Sequence, residues 1–280
     1  MNPSLKITFL EDMIKLYDLK EYNNDYEPTI FYGLITDNDI CTLEKNKSLK
    51  VIIWTGGDIN YKINRSADLS VMFLKNIKRI LKVPKIKHIS ISSFISKSLT
   101  DLNLPFKMVP IMGLNFNLYK PIIKGPCIYL YTSPSYSKYY GEELYVKLIK
   151  KYKNIKFIIT CCKLAYQNCE KKLLNIENIP VNYYTKEQLL NNIYSQCFIG
   201  LRLTDHDGLS ATVQELGLFG IKTVHNGCSP SSLNYKTFED ICFHIDKEIK
   251  TIGKIDIHTA IQVKKYLTVD QKFFNSNYHK

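Results

Sequence analysis

Short apolar runs alternate with helix-period segments along nearly the whole chain, and this alternation restricts the fold more than any single motif does. Runs at residues 5–10, 29–35, 51–55, 88–91 and 107–110 have strand length and an apolar character. The segments between them, 11–20, 37–45, 68–81 and 93–102, suit helices, and several open on an acidic residue in the first turn. Residues 111–126 end in Pro121, Gly125 and Pro126 and read as a connector. The alternation then resumes, with strands expected at 127–132, 155–160, 181–184, 197–203 and 222–225. Helices are expected at 141–153, 164–175, 186–195, 210–219, 238–249 and 258–267. Thr185 followed three residues later by Gln188 makes a capping box at the start of the third of these. Repeated βα units in two halves predict an α/β protein with two Rossmann-like parallel-sheet domains, 1–115 and 116–268. A polar and aromatic tail, 269–280, is expected to pack across the domain junction or fray.

Composition narrows the partners. At 45% hydrophobic and 23% charged, the chain belongs with globular proteins and not with disordered ones. Its formal net charge is +12, and of the 38 basic residues only Arg65, Arg79 and Arg202 are arginine. Lysine rich beside abundant Asn, Ile and Tyr has the look of an AT-rich coding bias, so the charge does not by itself mark a nucleic-acid binder. It does favour anionic partners such as nucleotide phosphates or an anionic membrane surface. The eight cysteines show neither disulfide-framework nor zinc spacing, and most lie in apolar runs as small hydrophobes. A reducing, cytoplasmic setting is expected. Nothing at the start has the pattern of a signal peptide, and no apolar stretch approaches the ~20 residues that span a bilayer.

One stretch carries most of the chemical signal: Arg202-Leu-Thr-Asp-His-Asp207-Gly208-Leu209-Ser210-Ala-Thr-Val-Gln-Glu215-Leu-Gly-Leu-Phe-Gly220. It reads as a strand end, a loop of polar and small residues, then a helix closed by glycine. Asp207 and Glu215 stand in the loop and in the helix, where both can face the crevice at the strand's carboxyl end, the usual ligand site of open α/β sheets. The helix N-terminus offers free N–H groups and a positive dipole suited to phosphate. An anion on the dipole, with a carboxylate nearby for sugar hydroxyls, points to a nucleotide sugar. Competing signatures are missing: there is no G-x-G-x-x-G, Walker sequence, His-x-x-x-His helix or Gly-x-Ser-x-Gly elbow.

The stretch from Asp207 to Glu215, with Gly220 and Val224 after it, resembles the acidic-x7-Glu motif of GT-B-fold retaining glycosyltransferases, the group that includes glycosyltransferase family 4. The usual form there is Glu-Gly-Phe-Gly-Leu-Pro-x-x-Glu. This chain has Asp207 for the first Glu, Ser210 for the second Gly and Thr212 for the Pro. The resemblance covers residues 127–226 and implies two Rossmann-like domains facing across a cleft. It implies that Glu215 holds the nucleotide's ribose hydroxyls and that Asp207 meets the donor sugar. It also implies that backbone N–H groups around Gly208, Leu209 and Ser210 cradle the diphosphate. After the first strand of this half, Thr132-Ser133-Pro-Ser-Tyr-Ser-Lys138 stands where the family has Gly-Arg-Leu-x-x-x-Lys-Gly. Lys138 matches the lysine, Ser133 replaces the arginine, and Arg202 can supply the missing guanidinium from the neighbouring strand end.

Further candidates come from position. His206 lies beside the proposed sugar site and has the chemistry of an acid–base group. In the first half, Gly56, Gly57 and Asp58 end a strand and are expected to line the crevice side. His88, His225 and His244 read as structural. Asp-x-Asp spacing occurs at 37–39 and 205–207, a short pattern that metal-dependent transferases share, yet no metal is expected. The function expected is retaining, metal-independent sugar transfer from a nucleotide-diphosphate sugar, with no other cofactor, to a glycan, lipid-linked or protein acceptor. The alternatives are a nucleotide-sugar epimerase on the same fold and a non-enzymatic basic protein that binds nucleic acid or docks peripherally on a membrane. The spread of lysines along the chain disfavours nucleic acid.

Overall fold

The computed structural model describes residues 10–34, 36–56, 58–59, 76–133, 138–161, 181–204, 207–270 and 273. The chain divides into two compact units, Met1–Asn115 with Leu267–Lys280, and Phe116–Tyr266. Of the elements expected from the sequence, most of the strand at 5–10, residues 68–75 of the helix at 68–81 and all of the helix at 164–175 fall outside the described residues.

In the first unit, β1 (Thr29–Tyr32), β2 (Lys50–Trp54), β3 (Ile86–Ser90) and β4 (Phe106–Met108) lie side by side in chain order and all run parallel. Both β1 and β2 are buried along their whole length, as parallel strands with two covered faces must be. Lys50 is tolerated there because its ammonium donates to the carbonyls of Asn46 at 2.9 Å and Ser48 at 2.8 Å. Helices α1 (Leu10–Leu16), α2 (Asp37–Lys45) and α3 (Ser93–Asp101) accompany the sheet. A capping box opens α2: Thr36 Oγ1 accepts from the Asp39 N–H, and the Asp39 carboxylate accepts from the Thr36 N–H at 2.8 Å. Asp37 pairs with Arg79, whose guanidinium also donates to both carboxylate oxygens of Glu44. The Asp-x-Asp spacing at 37–39 is therefore spent on a helix cap and a surface ion pair.

The second unit holds six parallel strands: β5 (Cys127–Tyr131), β6 (Phe157–Thr160), β7 (Val181–Asn182), β8 (Cys197–Leu201), β9 (Lys222–Val224) and β10 (Ser232–Leu233). Their spatial order is β10-β9-β8-β5-β6-β7. The chain runs outward from β5, returns to the other side of β5 as β8, and runs outward again. That is the doubly wound order, with its reversal between β5 and β8. The edge strand β10 has no apolar run to announce it in the sequence. Helices α4 (Glu142–Lys151), α5 (Ala211–Leu218), α6 (Phe238–Glu248) and α7 (Ile257–Leu267) belong to this half. The helix expected at 186–195 is a composite: α over Lys186–Gln188, a π turn over Leu189–Ile193 and a 3-10 turn over Tyr194–Gln196.

Two glycines fix α5. A Cβ on Gly200 of β8 would stand 2.6 Å from Leu216 Cδ1 and 2.9 Å from Thr223 Oγ1, so its absence lets α5 close on the strand. Gly220, at φ 83°, ends the helix, with Ile221 N–H donating to the Leu216 carbonyl at 2.9 Å. At the amino-terminal ends of β5 and β9 a buried ionic group ties the connector to α6. Lys124 Nζ donates to Glu248 Oε2 at 2.9 Å and Thr251 Oγ1 at 3.1 Å, and Lys222 reaches Glu248 Oε1 at 3.2 Å. Burial pushes the Glu248 pKa up, but the two lysines outweigh it and hold the carboxyl below its usual range. Among the described residues no helix is long and apolar enough to cross a membrane.

Glu248→Gln leaves the Lys124 ammonium buried without its counter-charge. It is expected to cost about 3 kcal/mol, read from urea midpoints, whereas replacing Lys124 and Glu248 together by Met and Leu costs far less. Equal losses in the two variants would show that the charge pair contributes nothing of its own.

Candidate functional site

The reversal between β5 and β8 opens a crevice beyond their carboxyl ends. In the first unit the described strands follow one another in chain order, so topology marks no such crevice there. The parting strand ends are bridged by Tyr145 of α4. Its hydroxyl donates to the Tyr131 carbonyl at 3.0 Å and accepts from the Leu203 N–H at 3.2 Å. Thr132 after β5 and Thr204 after β8 are fully buried, and neither hydroxyl has a hydrogen-bond partner among the described residues. Ser133 is buried beside Thr132 in sequence. Buried hydroxyls without partners are costly, and two of them here line the crevice with unused polar capacity.

Arg202 follows β8 directly. Its guanidinium lies over the rings of Tyr131 and Tyr140, 4.7 and 5.2 Å from their centroids. Its Nε donates to Asp207 Oδ2 in a largely buried ion pair. Burial pushes the Asp207 pKa up, but the charge and hydrogen bond of Arg202 hold it below the usual range. His225, at the end of β9, completes this group: its Nδ1 lies 3.2 Å from the Arg202 carbonyl, and burial lowers its pKa against the pull of Asp207. The structure thus brings Arg202 and Asp207 together and adds His225, which the sequence reading set aside as structural. Lys138 is exposed on the turn that leads through Tyr140 to Gly141, the turn against which Arg202 stacks. His206 lies outside the described residues.

Beyond Asp207 the loop passes Gly208 and Leu209, both half-buried, to Ser210. Ser210 caps α5, its Oγ accepting from the Val213 N–H. Every residue of α5 from Val213 to Leu218 is buried, so the helix has no solvent face on which to place Glu215. Its carboxylate is only 4% exposed and is satisfied from the composite helix. Tyr194 donates its hydroxyl to Oε2 at 2.9 Å, and Lys186 pairs with Oε1. Lys186 Nζ also lies 5.6 Å from the centroid of Tyr119, and Tyr194 packs edge-on against Tyr129 and Phe219. Sequence reasoning missed Tyr145, Tyr194 and Lys186. The capping box at Thr185 located the helix start but gave no signal that its first residue turns toward Glu215.

In the first unit, Asp58 is buried and turned inward on its own loop. Its carboxylate accepts from the N–H groups of Leu34 at 3.3 Å, Thr55 at 3.0 Å and Gly56 at 2.8 Å. Asp58 therefore ties the ends of β1 and β2 together, and Gly56 takes φ 114° to present its N–H. Gly57 lies outside the described residues. Burial pushes the Asp58 pKa up to about 6 against these donors. In the same sheet the Trp54 Nε1–H donates to His88 Nδ1 at 3.1 Å, and burial lowers the His88 pKa to about 4, so the ring acts as a neutral acceptor.

No protein-family model and no curated protein matches the sequence. Solved structures do match its fold. Sucrose-phosphate synthase from Thermosynechococcus elongatus aligns with a TM-score of 0.62 at 12% identity, over 95% of this chain and 75% of that one. HepE from Anabaena, solved with UDP and glucose, gives 0.58 at 10% identity over 88% and 76%. The pneumococcal O-GlcNAc transferase GtfA, solved with UDP and GlcNAc, gives 0.53 at 10% over 96% and 59%. The chain shares with them a fold of two parallel-sheet α/β units, the GT-B architecture.

The Asp58 carboxyl makes a pH-dependent contribution with a definite sign. A folded pKa of about 6 stands above the ordinary value near 3.8. The contribution is therefore full at low pH and is lost as pH rises through about 6. Asp58→Asn is expected to lack that step, so the difference between parent and variant urea midpoints, measured at pH 4, 5, 6 and 7, is expected to shift against the parent as pH rises. A constant difference across this series would show that Asp58 does not titrate in that window.

Proposed function

We propose that the second unit binds a nucleotide-diphosphate sugar and that the protein transfers the sugar to an acceptor hydroxyl. The observation that carries this reading is the arrangement around α5. A buried carboxylate, Glu215, stands one turn inside the helix, and an arginine–aspartate pair stands before its N-terminus at the topological switch point. The α5 dipole and the backbone N–H groups at its N-terminus suit the diphosphate. Among the described residues, the bond from Arg202 to Asp207 uses Nε, and the Nη groups are assigned to phosphate oxygens. Glu215 accepts one bond from Tyr194 and one from Lys186, and a carboxylate has about four acceptor positions, so capacity remains for a ribose diol. Asp207, with His206 in the same loop, faces the sugar in this reading, and Lys138 adds charge from the β5 loop. The UDP in the HepE and GtfA structures supports the ligand class.

In the transfer step the bond between the anomeric carbon and the diphosphate oxygen breaks, with its electron pair leaving on the diphosphate. The acceptor oxygen bonds to the anomeric carbon, and its proton passes to the departing diphosphate. Arg202, Lys138 and the helix dipole stabilise the charge that grows on the leaving nucleoside diphosphate. Because protein groups supply that charge, the reading calls for no metal. Its retention of anomeric configuration rests on the motif from Asp207 to Glu215. The acceptor, whether glycan, lipid-linked or protein, is assigned to the first unit.

The test is a panel of UDP-, GDP- and other nucleotide sugars, screened by thermal shift and then by nucleotide release. The active donor is expected to raise Tm by mass action. Glu215→Ala is expected to reduce kcat/KM about 100-fold or more, equivalent to about 3 kcal/mol of lost binding in the transition state. Full activity in Glu215→Ala would falsify the site assignment.

A further inference from the structure

The amino-terminal end of the second sheet, opposite the crevice, carries five of the exposed large apolar residues among those described. Ile123, Ile252, Ile255, Ile257 and Ile261 are 61%, 38%, 48%, 57% and 57% exposed. They belong to three segments that the fold draws together. Lys124 N–H donates to the Lys254 carbonyl at 3.1 Å, and Gly253 N–H donates to the Lys124 carbonyl at 2.9 Å, so the backbones bearing Ile123, Ile252 and Ile255 run side by side. Ile257 and Ile261 stand one turn apart on α7 and share one face. A cavity of about 430 Å3 opens among them, lined by Lys124, Thr251, Lys254, Ile255, Asp256, Ile257 and His258.

The exposed charges around this surface are the cations Lys250 and Lys254, with a half-buried Asp256 between the isoleucines Ile255 and Ile257. Lys250, Lys254 and His258 are exposed. The nearby acids are occupied: Asp256 caps α7 through the Thr259 N–H at 2.9 Å, and Glu248 is buried between Lys124 and Lys222. Isolated exposed apolar residues need no explanation, but five isoleucines drawn together, two of them lining a cavity, do. Protein–protein contacts are enriched in aromatic residues and arginine and poor in lysine. This surface is isoleucine and lysine, the composition that lies at a lipid interface with its apolar side chains among acyl chains and its cations at the headgroups. The net charge of +12 complements an anionic leaflet.

We propose that the face formed by Ile123, Ile252, Ile255 and Ile257 with Lys250 and Lys254 docks on an anionic lipid bilayer. The partner chemistry is a phosphate-bearing headgroup surface into which the isoleucines insert. The face lies at the amino-terminal ends of β5 and β9, whereas the crevice lies at the carboxyl ends of β5 and β8. Docking therefore leaves the crevice open. The proposal stands independently of sugar transfer.

The test uses the full chain and vesicles, without nucleotide sugar. Flotation with phosphatidylcholine vesicles is compared with phosphatidylcholine–phosphatidylglycerol vesicles (3:1) at low and high salt. The parent is expected to partition to the anionic vesicles at least tenfold more strongly, and less so at high salt. Ile255→Ser with Ile257→Ser keeps the net charge, and is expected to weaken that partition about tenfold while leaving Tm unchanged. Lys250→Glu with Lys254→Glu is expected to abolish the preference for anionic lipid. No binding, equal binding to both vesicles, or undiminished binding by the serine variant each overturns the proposal. So does a dimer seen by light scattering in the parent and lost in the serine variant, which would make the face a contact between copies of the chain.

Discussion

Glu215 lies in a helix whose residues from Val213 to Leu218 are all buried, and it keeps only 4% of its own surface exposed. Leaving it charged and unpaired would cost several kcal/mol, so the surroundings of α5 have to answer it. The answer comes from the segment after β7. Lys186 supplies the counter-charge, and Tyr194 supplies a hydroxyl held in place by Tyr129 and Phe219. The irregular course of that segment, from α through π to 3-10, accompanies this task. It carries Lys186 at its start and Tyr194 eight residues on, both turned to the same carboxylate. Gly200 is the other half of the arrangement, because any side chain on β8 at that point would push α5 outward and carry Glu215 with it.

The same economy governs the loop before α5. Arg202 is one of only three arginines in the chain and packs against two tyrosine rings that meet edge-on, so its orientation is set before any ligand arrives. Pairing with Asp207 offsets the burial of both groups and uses the Nε donor. A planar group fixed in this way loses little freedom on meeting a phosphate, which is where arginine differs from the exposed Lys138. Tyr145 does for the backbone what the tyrosine pair does for Arg202. By tying the Tyr131 carbonyl to the Leu203 N–H it sets the width of the gap between β5 and β8.

What the sequence disclosed and what it withheld divide along physical lines. Local signals were legible: the capping pattern at Thr185, the glycine stop at Gly220 and the apolar run of β8 each act within a few residues. The order of the strands, and with it the switch point, depends on pairings between distant segments and came only with the structure. Partnerships across the fold were not legible. Lys186 and Glu215 are 29 residues apart, and nothing in the 38 basic residues singles out the one that turns inward. The short edge strand β10 had no apolar run to mark it, because a half-exposed pair of residues at an edge need not be hydrophobic.

Acidic residues at strand and helix ends illustrate why a motif needs its surroundings before it has a role. Asp39, Asp58 and Asp207 all lie near such ends, and in sequence each can be read as a ligand-binding carboxylate. Asp39 accepts from Thr36 within a helix cap, and Asp58 accepts from three backbone N–H groups of its own and the adjacent loop. Those bonds use the carboxylates in holding backbone. Asp207 differs in kind: its principal partner is a side-chain cation at the mouth of the crevice, and that cation keeps further donors of its own. A carboxylate held by backbone can be released only by unfolding the loop, whereas one held by an arginine can exchange partners when an anion competes for the guanidinium. That difference separates the acids that build this fold from the one positioned to respond to a ligand.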